Sequence, residues 1–188
     1  MSRPGLPVPE RNRIRALLMD IDLAPRIALL GILPVGFQMA LQWGAPLPPV
    51  AVAVTWGLAL AWIVMALVIH FGHARAPVAR LLRIDLACRV ALLAGFSGLA
   101  WRQWQLPGHA VPDWLILKLV VVAAIVVDGM VLRVYSGQWR LAIERLSAGD
   151  VAGGERLLGV RRRKAATAAL VMWALVALAA FLGAVKPF

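Results

Sequence analysis

The chain has 188 residues, 62% of them hydrophobic, with a mean hydropathy of +0.81; soluble globular domains keep the apolar share at about half, so a soluble domain is excluded and an all-α integral membrane protein is predicted. A net charge of +11 would suit nucleic acid only if the bases lay on a folded polar surface with a recognisable binding motif. Here they fall between apolar runs, so nucleic acid is not predicted as a partner, and the lone Cys88, inside such a run, gives neither a disulfide framework nor a cysteine metal site.

Residues 1–20 form a basic arm, with Arg11, Arg13 and Arg15 suited to an anionic lipid surface. A signal peptide fits this start poorly, because it is rich in Pro and Arg and the apolar stretch that follows Asp20 and Asp22 is long enough to span. The first span is predicted over residues 23–43, with Pro25 in its first turn and a kink at Pro34. A second runs over 50–71, ending near His70 and His73. After a basic loop holding Arg75, Arg80 and Arg83, a third covers 84–104, where Gly95 and Gly98 permit close helix approach. A fourth span is predicted over 114–132. In the polar segment that follows, Trp139, Ile143 and Leu146 recur at helical spacing, which suits a short amphipathic helix on the membrane surface, ended by Gly149, Gly153 and Gly154. The fifth span covers 165–185.

A decapeptide occurs twice. Residues 21–30 read I-D-L-A-P-R-I-A-L-L and residues 84–93 read I-D-L-A-C-R-V-A-L-L, identical at eight of ten positions. Each copy puts an Asp and an Arg on one helix face, roughly 6 Å apart along the axis. The expected architecture is therefore five transmembrane helices: a duplicated four-helix core (residues 21–135, repeat units 21–73 and 84–135) arranged as two parallel repeats, a basic linker over 136–164, and a fifth helix over 165–188. Fifteen Lys and Arg fall in the arm and in the loops on its side, against Arg102 and Lys186 opposite. The positive-inside rule then places the N-terminus in the cytoplasm and the C-terminus outside. Trp43, Trp101, Trp104 and Trp114 form the expected outer aromatic belt.

The candidate binding or charge-pair residues are Asp22, Arg26, His70, Asp85, Arg89, Lys118 and Asp128. Ionisable groups inside a span cost about 2.5–3.5 kcal/mol each on insertion scales, so they usually face the bundle interior and pair. Asp22 also fits a helix N-cap, with Arg26 reaching back to the surface; the same alternative for Asp85 and Arg89 is weaker, since no proline follows and the helix can start earlier. Asp128 sits in an unbroken apolar run that a cap does not explain. Counted from the cytoplasmic edge, it lies roughly 7 Å deep and Arg89 roughly 10 Å, so the two are expected to pair, with Arg26 facing His70 in the equivalent place. His70 and His73 share one helix face with no histidine at that depth on another span, so they read as interfacial rather than as metal or haem ligands. His109 reads as solvated, the scattered methionines as packing, and Lys118 as reaching the outer interface. No nucleophile triad, phosphate-binding glycine loop or zinc spacing occurs.

The run Trp114-Leu115-Ile116-Leu117-Lys118-Leu119, followed by an apolar span, a basic linker, another span and the ending Val185-Lys186-Pro187-Phe188, resembles the membrane proteins grouped around the HemJ-type protoporphyrinogen oxidase and the CopD-type copper-resistance protein. The resemblance covers residues 58–188. It implies a helical bundle in the inner membrane of a bacterium and makes Lys118 the one matched residue. Haem is the cofactor it implies, yet Val54, Thr55 and Trp56 stand where the family has its early histidine, and its second histidine falls near Asp128; haem is therefore not the expected cofactor. The sequence points to a polar site in the cytoplasmic half of the bundle that binds or moves a small solute, a metal ion or a proton. A haem-linked redox enzyme of the HemJ type and a structural or assembly subunit are the alternatives. Membrane lipid is the expected partner, with a homo-oligomer or a larger membrane complex left open.

Overall fold

A computed structural model describes residues 6–42, 48–72, 76–106 and 111–186. They form α1 (Val8–Gln42), α2 (Pro49–Phe71), α3 (Ala76–Gln105), α4 (Asp113–Ser147) and α5 (Val151–Val185), with no strand among the described residues. Trp43, His73, Arg75, His109, Pro187 and Phe188 lie outside them. Four stretches are long and apolar enough to cross a bilayer: Pro49–Phe71, Val78–Gln105, Asp113–Ser147 and Val151–Val185. The protein is a helical, multi-pass membrane protein. α1, which carries Asp20, Asp22 and Arg26 near its middle, is not among the four.

Helices begin earlier and run longer than the apolar stretches within them. Because α1 starts at Val8 and α3 at Ala76, Asp22, Arg26, Asp85 and Arg89 are helix-interior residues. The N-cap reading of Asp22 is thereby overturned, and Pro25 and Pro34 both sit inside α1. α2 opens on Pro48 as N-cap with Pro49 in its first turn, where the missing amide has no helical partner to lose. It closes with the Gly72 N–H on the Val68 carbonyl at 2.8 Å.

The chain forms two compact units: residues Arg13–Cys88, and Met1–Asn12 together with Arg89–Phe188. In the first, Pro34, Val52, Ala59 and Asp85 are buried. The second is dominated by the antiparallel packing of α4 on α5. At about 1.5 Å per residue each of these 35-residue helices is about 52 Å long, well beyond a hydrocarbon core of about 30 Å, so one end of the hairpin projects as an arm.

The turn explains why both helices run so long. α4 continues through Arg133 to Ser147, and Gly149 alone breaks it, at φ 89°. There the Asp150 N–H reaches the Arg145 carbonyl at 3.1 Å and the Gly149 N–H the Leu146 carbonyl at 3.2 Å, the paired bonds of a Schellman ending. Asp150 then caps α5, its carboxylate accepting from the Gly153 N–H at 2.9 Å. A surface-lying amphipathic helix is therefore not what forms: Ala142 and Ile143 are buried, and Leu146 packs against α5 at Gly154, where a Cβ would come within 2.6 Å of its Cγ. The apolar face that was expected to meet lipid meets α5. Trp114 is buried as well, while Trp101 and Trp104 are exposed as an aromatic belt requires.

Candidate functional site

Within residues 13–88 the candidates Asp22, Arg26, His70 and Asp85 each have a local partner. Asp22 and Arg26 pair across one turn of α1, both substantially exposed. His70 does not meet Arg26; its Nε2 lies 3.0 Å from Asp20 Oδ1, with the ring edge-on to Phe71. Asp85 is 4% exposed, and its Oδ1 accepts a hydrogen bond from the Trp62 indole N–H at 2.7 Å. The two decapeptide copies thus place equivalent aspartates differently. Asp22 is on an open face, whereas Asp85 is held by a tryptophan of α2. Neither Trp62 nor Asp20 stands out in the sequence, because a tryptophan in an apolar span reads as packing and an aspartate before one reads as a flank.

The second unit holds the remaining candidates. Asp128 is half-buried in α4, and its Oδ2 is shut off from solvent with no hydrogen-bond partner among the described residues. Buried polar atoms are nearly always paired, so an orphan of this kind marks either a cost or a use. Next to it in the chain, Gly129 faces both α5 and Arg89. A Cβ there would lie 3.6 Å from the Met172 methyl and 3.7 Å from Arg89 Nη1. Arg89 thus lies beside Gly129, the residue that follows Asp128 in the chain, and Asp128 Oδ2 accepts no bond from it.

Lys118 sits farther along α4, on the face of Gly129 and half-buried, with its Nζ 2.5 Å from the position a Cβ would occupy on Gly183. Glycine at that position leaves room for the ammonium beside the last turn of α5, where unpaired helix carbonyls favour a cation. Arg11 is an addition that the sequence reading assigned to lipid. Only 2% exposed, it pairs with Glu155 at the start of α5 and donates from Nε to the Leu6 carbonyl at 2.9 Å.

The site around Asp128 therefore offers one carboxyl and one guanidinium in an apolar setting, with a thioether beside them. Among the described residues no group of three or more His, Cys, Asp or Glu could hold a metal ion. His70, in the other unit, is the one described histidine, and its Nε2 lies 3.0 Å from Asp20 Oδ1. Comparison with family models, with curated proteins and with solved structures finds no match to this chain.

Proposed function

We propose that this is a five-span inner-membrane protein whose duplicated core uses Asp128, with Arg89 alongside, to bind and pass a proton or a small solute that moves with one. The observation that carries the reading is the solvent-shielded, partnerless Oδ2 of Asp128 in an apolar run of α4. A lone carboxyl can take and release a proton without a ligand set, and intramembrane carboxylates that escape simple pairing typically mark ion or proton pathways.

The fifth crossing is assigned to α1, and a parity argument supports it. Arg11, in the first turn of α1, meets Glu155, near the start of α5, which supports putting both segments on one side of the membrane. α2, α3 and α4 supply three crossings between them, and only a fourth, by α1, returns the chain to that side. The basic residues of both segments make that side the cytoplasm. Duplication rests on the repeated decapeptide, and kinship with the HemJ and CopD proteins on the run from Trp114 to Lys118. The haem-linked alternative draws on that run alone; a stoichiometric Soret band abolished by His70→Ala would favour it.

Proteoliposomes under an imposed pH gradient test the main reading. The wild-type protein is expected to dissipate the gradient faster than protein-free vesicles, and Asp128→Asn to remove that excess while leaving the protein folded, with a melting temperature no lower than wild type. Equal rates for Asp128→Asn and wild type, or no excess over empty vesicles, would refute the reading.

A further inference from the structure

The projecting arm of the α4–α5 hairpin contains an unsatisfied polar layer distinct from the Asp128 site. Trp139 Nε1, Gln138 Oε1 and Arg161 Nε are all shut off from solvent without a hydrogen-bond partner among the described residues. Such orphans call for a missing water, ion or ligand. The hairpin register brings them to one level. Gly129 faces Met172 and Gly154 faces Leu146; the same antiparallel register sets Trp139 opposite Arg161. Both lie on the packed stripes, Trp139 one turn before the buried Ala142 and Ile143, and Arg161 between the buried Leu158 and Ala165.

Two directional donors, Trp139 Nε1–H and Arg161 Nε–H, thus share a layer with an amide whose oxygen and nitrogen can exchange places. The surroundings are strongly cationic: residues 133–164 hold eight bases against the three acids Glu144, Asp150 and Glu155. Each acid is already engaged, Glu144 by Arg140 at 3.2 Å, Glu155 by Arg11 and Asp150 by the α5 amide. The layer also falls where the apolar run of α4 has given way to charge and that of α5 has not yet begun, the depth of lipid headgroups and the one tryptophan prefers. An anion with several acceptor oxygens at that depth is a phosphate.

We propose that this layer binds the phosphate of an anionic phospholipid headgroup, with Trp139 and Arg161 as donors and the Gln138 amide as third partner. Delipidated full-length protein titrated with phosphatidylglycerol or phosphatidylcholine, with bound lipids counted by native mass spectrometry, tests it. One phosphatidylglycerol is expected to be retained in preference to phosphatidylcholine. Trp139→Phe removes the N–H but keeps a ring, and Arg161→Lys keeps the charge but removes the planar donor. Each should weaken that binding by about tenfold, the size of one lost hydrogen bond to a charged group. Arg156→Gln, an exposed base on the same arm, should leave it unchanged, and Gln138→Leu gives an independent reading if Trp139→Phe does not fold. Equal retention of the two lipids, or equal weakening by Arg156→Gln, would overturn the proposal. One-to-one displacement of the lipid by inorganic phosphate would overturn its lipid source.

Discussion

At the scale of single residues, a polar group buried in this bundle depends on the side chain that another helix brings to it. Trp62 and Asp85 illustrate it: the aspartate is almost fully buried, and the indole N–H at 2.7 Å satisfies one of its oxygens. Trp62→Phe keeps most of the apolar contact but leaves that oxygen without this donor, at a cost of about 1–3 kcal/mol. Asp85→Asn, which can still present an amide oxygen to the indole, should cost less. Thermal unfolding in one detergent checks the order, and equal losses for the two variants would show that the bond contributes nothing specific. The sequence singles out Asp85 because a charge in an apolar run is visible one residue at a time. It cannot single out Trp62, whose role depends on a residue 23 positions away on another helix. The same limit explains why His70 finds Asp20 rather than Arg26: the residues facing a side chain depend on helix rotation, which an offset between repeats does not determine.

At the scale of elements, the apolar cores of α2, α3, α4 and α5 are legible because a run of about twenty apolar residues has few other stable forms. Their ends are not, because charge stops a transmembrane segment without stopping a helix. Arg133 ends the lipid-compatible part of α4, yet the backbone stays helical to Ser147. Three glycines close together, Gly149, Gly153 and Gly154, look alike in the sequence. Only Gly149 has a positive φ; Gly154 instead lets α4 and α5 approach, since a Cβ there would lie 2.6 Å from Leu146 Cγ and 3.1 Å from the Ala142 carbonyl oxygen. Gly154→Ala should therefore destabilise the hairpin by about 1–3 kcal/mol through overpacking. Gly159→Ala, on the same helix with nothing within 4 Å, should stabilise it by about 0.5–1 kcal/mol through helix propensity. Melting temperatures that move the same way in both variants would contradict this assignment of the tight contact.

At the scale of the whole molecule, sidedness links the arm, the hairpin and the Asp128 site. If the N-terminal arm and the α4–α5 turn share the cytoplasm, Asp128 lies in the cytoplasmic half of its span and Lys118 toward the outer face. The layer proposed to bind a headgroup would then face the cytoplasmic leaflet. The basic loops support this sidedness, as does the contact of Arg11 with Glu155, and both require α1 to cross. Reporter fusions after Ser2, Gly44, Gly108, Gly149 and Phe188 measure it directly. Cytoplasmic signals after Ser2 and Gly149, with periplasmic signals after Gly44, Gly108 and Phe188, are the predicted result; Ser2 and Gly149 on opposite sides of the membrane would contradict it.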